Sequence, residues 1–488
     1  MHRSAECNFA GRLVQRLGER SALIDATTGR EFSSQNLPDL FAGFAAGFLS
    51  IGLQAGDRVL ISCGLGPQST LAYLGAVYAG FVPVLLDERA LAMSGEALFT
   101  KAGAKAVWID EGVRCDWARR QNVRVLEGDL DACSVHSLRP APCADGDLAV
   151  LMPTSGSTGT PRLVMVSHGN LRSNTEAIIR NQHLGMDERA MLIMPVSYCF
   201  GASVVHTHLY QGGGVVFDSR FMFSDKVLHS INTYSCTTFA GVPAVYNILL
   251  RRSNLRSIPL PGLRRVLQAG GALAPESILE MQTIVPTAEF FVMYGQTEAT
   301  ARISSLPPDR LREKVGSAGL PLDNLEVRIV DDKGHELPEG EVGETQVRGP
   351  SVCSGYFDDP EATARKFSDG WLKTGDFACR DHEGYLWIKG RMDEFIKMRG
   401  LRVSFAEVEA TVAATPGVDE CAATAVPHPE AGEALVLYVV TGDGESGVVE
   451  RIRHAFPPQW TCASIRVVAE LPKTVNGKIS RSELQTLA

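Results

Sequence analysis

Residues 148–166 set a loop rich in Gly, Ser and Thr, Thr154-Ser-Gly-Ser-Thr-Gly-Thr-Pro-Arg162, between two apolar runs, Leu148–Met152 and Leu163–Val166. Short apolar runs bounded by turn residues read as buried strands, so the loop is pinned at both ends. Its glycines let backbone N–H groups turn toward a guest, and its hydroxyls add donors, which suits the phosphates of a nucleotide. It is not a Walker A loop, because no Gly-Lys-Ser/Thr follows at the required spacing. A flexible surface turn is the bland alternative for such a composition.

Around that loop, strand-like runs alternate with helix-like segments up to about residue 300: Arg58–Ser62 before Leu71–Tyr78, and Arg265–Leu267 before Ala274–Gln282. The alternation predicts α/β layers with largely parallel sheets. The uncharged run Thr70–Leu86 approaches membrane-spanning length but contains Gly75, Gly80 and Pro83 and ends at Asp87, so it reads as a buried helix turning into a core strand. The Pro-, Ala- and Asp-rich stretch Arg139–Asp147 is expected to connect two such layers. From Gly316 to Arg391 short β-branched runs (Glu326–Val330, Gly343–Val347, Tyr385–Lys389) predict a small β-rich subdomain. Beyond Arg391 a compact α+β segment carries its own strands, Ala422–Val426 and Ala434–Val440. The expected organisation is a large multi-layer N-terminal domain, 1–392, made of two α/β subdomains plus the β-rich one, and a small mobile α+β C-terminal domain, 393–488, with the boundary near Asp393.

Composition narrows the partners. A formal charge of −9 argues against a nucleic-acid or anionic-membrane surface. Eleven cysteines without a CxxC pair read as reduced thiols of a cytoplasmic protein, and eleven histidines without an HExxH pattern indicate no structural metal. Met1–Arg12 lacks the apolar core of a signal peptide. Gly442-Asp-Gly-Glu-Ser-Gly447 matches GxGxxG, but Asp443 and Glu445 would set negative charge beside a pyrophosphate and too little chain remains for a dinucleotide fold; an exposed turn is the better reading.

Four further segments carry chemistry. Met293-Tyr-Gly-Gln-Thr-Glu298 follows a strand-like run; Tyr294 offers a ring for a purine, Gly295 permits close approach, and Glu298 is a candidate Mg²⁺ ligand beside phosphates. In Trp371-Leu-Lys-Thr-Gly-Asp376 the terminal Asp can accept two ribose hydroxyls, or simply close a turn. Lys389–Gly400 is a cation-rich run across the expected boundary, with a solvated linker as its bland reading. Leu471-Pro-Lys-Thr-Val-Asn-Gly-Lys478 ends on a lysine that could reach a cleft as a point charge, or could be an ordinary surface lysine.

In order and wording these segments resemble the AMP-forming adenylating enzymes: acyl- and aryl-CoA synthetases, adenylation domains of peptide synthetases, and luciferases. The resemblance runs from about residue 20 to the end and includes Ser167-His-Gly-Asn170 and the Gly340–Gly355 landmarks. It implies an acid–thiol ligase using ATP and Mg²⁺. A carboxylate attacks the α-phosphate of ATP to give an acyl-adenylate; a thiol then displaces AMP. CoA is the favoured thiol, with the phosphopantetheine of a separate carrier protein as the alternative. A nucleotide-binding regulator that lost catalysis is the remote one.

Carried over residue by residue, the resemblance makes Lys478, Thr297 and Glu298 catalytic. Thr154, Ser155, Gly156, Ser157, Thr158 and Gly159 would hold the β- and γ-phosphates, with Glu298 holding Mg²⁺ through ATP. Tyr294, Gly271 and Ala272 would enclose adenine, and Asp376 and Arg391 would take the ribose. Asp393 matches the hinge, and Arg399, Gly400 and Leu401 line the thiol tunnel. The acid pocket is expected at Tyr198, Phe200, Gly201, Val242, Gly270 and Gly295. Two departures stand out. The phosphate loop continues Pro161-Arg162-Leu163 in place of Pro-Lys-Gly, which keeps the charge. Gly201 replaces the amine-binding Asp of amino-acid-activating domains, so an α-amino acid substrate is not expected.

Overall fold

The strands Arg58–Ser62 and Val82–Leu86 are apolar on consecutive residues, a pattern that needs cover on both sheet faces. In the computed structural model both are almost wholly buried and lie side by side, parallel. The structure describes residues 3–129, 138–154, 161–391, 395–398, 401–428, 432–442, 445–457, 460, 462–472 and 479–487. These fall into two compact units: Met1–Val327 with Gln346–Lys373, and Arg328–Thr345 with Thr374–Ala488.

The first unit contains two sheets of the expected α/β kind. One has six strands in the order Arg124–Glu127, Ala106–Ile109, Arg58–Ser62, Val82–Leu86, Leu148–Thr154, Arg162–Ser167. It is parallel except for its last pair, an antiparallel hairpin whose register closes at Thr154 opposite Arg162. Thr154 and Arg162, the described residues that flank the predicted phosphate loop, therefore face each other across this pair. The helix Pro67–Tyr78 is buried along its length. It turns at Gly80, whose φ of +80° suits a residue without Cβ, into the strand Val82–Leu86. That is the helix-to-strand path expected of Thr70–Leu86. No helix among the described residues is long and apolar enough to cross a membrane.

The second sheet has nine strands, in the order Leu320–Pro321, Ser304–Leu306, Glu289–Tyr294, Arg265–Gln268, Thr238–Gly241, Arg189–Leu192, Gly214–Phe217, Ala22–Asp25, Glu31–Ser33. The six from Glu289–Tyr294 to Ala22–Asp25 run parallel, and the rest are antiparallel edges. The landmark Ser167-His-Gly-Asn170 is a capping box. Ser167 Oγ accepts from the Asn170 N–H, and Asn170 Oδ1 accepts from the Ser167 N–H, which starts the helix His168–Gln182.

One connector differs from expectation. Arg139–Asp147 does not join two layers: the strands on either side, Arg124–Glu127 and Leu148–Thr154, belong to one sheet. Composition marked the crossover but could not say that the chain returns to the sheet it left.

In the second unit, Leu386–Arg391 pairs antiparallel with the strand Trp371–Arg380 from Asp376 onward. A separate sheet joins Leu401–Ser404, Phe395–Met398, Gly432–Val440 and Glu420–His428, with Cys462–Val467 parallel to Gly432–Val440. The helices Phe405–Ala413 and Glu445–Ala455 bring Val408, Val412, Val448 and Ile452 onto its Leu435, Leu437 and Val439. Arg328–Thr345 clusters with these residues, so the contact-defined units do not follow a linear division at 392/393. Long-range links such as Thr374 Oγ1 donating to the Thr345 carbonyl at 2.7 Å draw that segment in.

Candidate active site

Four adjacent parallel strands end beside one another: Glu289–Tyr294, Arg265–Gln268, Thr238–Gly241 and Arg189–Leu192. In an open parallel sheet the crevice beyond the carboxyl ends of the strands is where ligands bind. The segments that follow these ends are those the sequence singled out: Gly295–Glu298, Gly270–Ala272, Val242 and Tyr198–Gly201. Gly271 and Ala272 are exposed and Tyr294 is half-buried, so this face is open to a guest.

The segment after Tyr294 is tightly folded. A methyl group on Gly295 would lie 1.8 Å from the Ala301 carbonyl oxygen, so glycine is obligatory there. The chain reverses at Thr300 (φ +70°, ψ −55°), where the Ala301 N–H donates to the Ala299 carbonyl at 2.9 Å. This is a γ-turn of the rare positive-φ kind, held by Thr300 Oγ1 donating to the Ser351 carbonyl at 2.7 Å. Backbone strain of this type persists only where surrounding contacts fix it.

The turn sets Glu298 on one side and Arg302 on the other. Glu298 is 9% exposed, and its Oε1 accepts from the Tyr356 hydroxyl at 2.6 Å. Its carboxylate takes no further hydrogen bond among the described residues, which leaves Oε2 for a hard cation. No group of three or more His, Cys, Asp or Glu able to hold a metal ion occurs among the described residues. A Mg²⁺ at Glu298 would thus complete its shell with phosphate oxygens and water, which fits a nucleotide-borne ion.

Arg162 has a role that sequence reasoning missed. Its Nε lies 3.3 Å from Asp359 Oδ2, and its guanidinium lies over the Tyr356 ring at 5.6 Å. The charge retained at the end of the phosphate loop is therefore engaged in holding Tyr356 and Asp359. Asp359 in turn caps the helix Pro360–Lys366, and its carboxyl is held below the usual range, chiefly by the Ala362 N–H.

Of the predicted pocket residues, Tyr198, Gly270 and Val242 come together. A methyl on Gly270 would lie 2.6 Å from the Tyr198 hydroxyl oxygen and 3.2 Å from Val242 Cγ1, and Gly270 has φ +87°. Burial pushes the Tyr198 hydroxyl up to about 12, so it is a neutral hydrogen-bonding group. Phe200 is buried beneath the guanidinium of Arg302, 5.2 Å from the ring centroid. At Gly201 a Cβ would lie 2.5 Å from the Pro195 carbonyl oxygen, so backbone packing favours glycine there.

Arg302 was not singled out from sequence, although it interrupts the otherwise uncharged run Ala299–Leu306. It is 3% exposed, and burial lowers its pKa to about 10, so it stays charged at neutral pH.

In the second unit Asp376 and Arg391 stand opposite each other across an antiparallel pair, with Arg391 Nε 3.3 Å from Asp376 Oδ1. Thr154 ends its strand at the hairpin, and Thr297 opens the turn Thr297–Ala299. Ser155, Gly156, Ser157, Thr158, Gly159, Asp393, Arg399, Gly400 and Lys478 lie outside the described residues. Leu401 begins the strand Leu401–Ser404.

Residues 12–357 match the AMP-binding enzyme family, and residues 407–478 match the AMP-binding enzyme C-terminal domain. A feruloyl-CoA synthase of an Amycolatopsis species is 33% identical over 460 residues, covering 91% of each chain. ATP-bound MatB from Rhodopseudomonas palustris superposes with a TM-score of 0.91 at 27% identity, over 100% of this chain and 99% of that one. The O-succinylbenzoate Coenzyme A synthetase of Bacillus subtilis, in complex with ATP and a magnesium ion, gives a TM-score of 0.87 at 26% identity, over 98% and 99%.

Proposed function

The chain belongs to the AMP-binding enzyme family and is an AMP-forming acid–CoA ligase, and from that premise we propose how its own residues divide the work. The carboxylate of an organic acid attacks the α-phosphorus of ATP and pyrophosphate leaves. The thiol of CoA then attacks the acyl carbonyl of the adenylate and AMP leaves. The observation that carries this reading is the buried Glu298, held by Tyr356 at the end of a parallel strand, with the exposed Gly271–Ala272 and half-buried Tyr294 beside it.

In the first step two anions must meet. Thr154 through Gly159 bind the β- and γ-phosphates, and Thr297 donates to the α-phosphate. Tyr294, Gly271 and Ala272 hold adenine, and the Asp376 carboxylate, oriented by Arg391, accepts from the ribose hydroxyls. Mg²⁺, bound through ATP and Glu298, screens phosphate charge. Lys478 adds a point charge where negative charge gathers in the transition state. In the second step that lysine must give way to a thiol. The hinge at Asp393 serves this exchange, and Arg399, Gly400 and Leu401 line the thiol path. Two observations support a division at that point. The matched family segments stop at 357 and resume at 407, and a sheet with its own core begins at Phe395–Met398. On this reading 393–488 is the mobile domain. A separate carrier protein in place of CoA remains the second acceptor to test.

The acid is not an α-amino acid. Two features support this: Gly201 supplies no carboxylate for an α-ammonium, and the buried guanidinium of Arg302 beside the pocket repels one. Nine of the described cysteines are free thiols, which supports a cytoplasmic protein. The test is acid-dependent exchange of labelled pyrophosphate into ATP across a broad acid panel, followed by AMP release with CoA or carrier proteins. Exchange with at least one acid and CoA-dependent thioester are expected. No exchange with any acid would leave a nucleotide-binding regulator as the better description.

A further inference from the structure

We propose that the acid activated by this enzyme carries a second anionic group, a carboxylate or sulfonate, which pairs with the guanidinium of Arg302 beside Phe200 in the acid pocket. The inference rests on the ligase reading and deepens it to a substrate class.

The first observation is an uncompensated charge. Arg302 is 3% exposed, and its Nη1 is buried without a hydrogen-bond partner. Among the described residues its guanidinium makes no hydrogen bond and no ion pair; only its backbone is bonded, to Asn174. The unit's other strongly buried arginine shows how the fold treats such a group when it serves structure alone. Arg265, 7% exposed, has Glu188 at 2.6 Å and donates to the Gln182 and His183 carbonyls, each at 2.8 Å. A guanidinium removed from water without an acid is costly, and folding alone gives no reason to keep it.

The second observation is position. The guanidinium lies against the face of Phe200 and acts electrostatically on Tyr198, whose hydroxyl meets Gly270 and Val242. Arg302 therefore belongs to the pocket wall.

Chemistry then selects which anion. The reacting carboxylate must keep a lone pair free to attack phosphorus. A bidentate guanidinium on that carboxylate would stabilise the ground state and oppose attack. An anion elsewhere on the molecule can accept the same two hydrogen bonds with no such penalty. The planar fork suits carboxylate and sulfonate oxygens.

The experiment uses the full-length enzyme and pairs of acids matched in length. Each pair has one member with a terminal carboxylate or sulfonate and one with a methyl group in its place, in aliphatic and para-substituted aromatic series. Pyrophosphate exchange gives kcat/KM for each. In the wild type the anionic member of the best pair is expected to lead by about tenfold or more, mostly through KM. In Arg302→Met that ratio collapses, and in Arg302→Lys part of it returns. A wild type that prefers the neutral members overturns the inference while leaving the ligase reading intact, and so does an anionic preference unchanged in Arg302→Met. Absence of exchange with every acid overturns the ligase reading, and this inference with it. The wild-type panel needs no variant to fold.

Discussion

The Tyr356 hydroxyl donates a 2.6 Å hydrogen bond to the carboxylate of Glu298, although the two residues are 58 positions apart. Arg162, at the end of the phosphate loop, stacks over the same tyrosine. Arg162 and the candidate cation ligand Glu298 thus share one aromatic ring as a support.

Tyr356→Phe is expected to raise the Mg²⁺ concentration required for pyrophosphate exchange by about tenfold, the value of a hydrogen bond to a charged group. The KM for the acid should hardly change. An acid KM that moves as much as the Mg²⁺ requirement would show that Tyr356 shapes the acid pocket.

Two neighbouring glycines should answer alanine differently. Gly295→Ala places Cβ 1.8 Å from a backbone oxygen, which must shift, so a loss of about 3 kcal/mol or more of stability and loss of activity are expected. Gly271→Ala meets only Pro243, Cγ at 3.4 Å and Cδ at 3.8 Å, which are ordinary contacts. Its Tm should be unchanged while its KM for ATP rises. Circular-dichroism melts beside exchange assays separate the two outcomes.

Three buried histidines make the first unit sensitive to acid. Burial lowers His168 and His208 to about 4 and His206 to about 3, from an ordinary 6.5. The Phe9 N–H donates to His168 Nδ1, so that ring nitrogen must be unprotonated. The unfolded chain takes up protons that the folded one refuses. Stability is therefore complete above about pH 6.5 and falls as the pH drops toward 4, by on the order of 3 kcal/mol per histidine at the limit. Urea midpoints should decline between pH 7 and 5, and His206→Gln should reduce the slope by about one proton. Midpoints independent of pH over this range would contradict neutral burial.

Removing the Arg302 charge should stabilise the free enzyme. Replacing buried ions with apolar side chains is often stabilising by about 1–4 kcal/mol, so Arg302→Met is expected to melt higher than the wild type without acid. A saturating anionic acid should raise the wild-type Tm more than the variant's. A lower Tm in Arg302→Met would mean the guanidinium has a structural partner.

Lys478→Ala should reduce adenylate formation strongly and spare thioester formation from supplied acyl-AMP. Asp393→Pro should do the reverse. Single-turnover assays of each half-reaction read both, and equal loss in the two halves for either variant would contradict its assigned role.

The sequence alone determined the local elements and the chemistry they carry. Arg58–Ser62 and Glu326–Val330 fold over the spans their patterns indicated, because apolar runs bounded by Gly, Pro and Asp encode local geometry directly. The motif around Gly295 and Glu298 stood out by residue type, but the reason for its glycine did not: the Ala301 carbonyl, and not a ligand, fills the space a Cβ at Gly295 would need. Tertiary structure decided what lies across from what. That Tyr356 supports Glu298, that Asp359 engages Arg162, that Pro195 closes the space at Gly201, and that Arg302 is buried against Phe200 without an acid partner among the described residues all depend on contacts between distant segments. Burial is the physical reason. A lone arginine in a sequence is most often a solvated charge, and only a fold that removes it from water turns it into a demand for an anion.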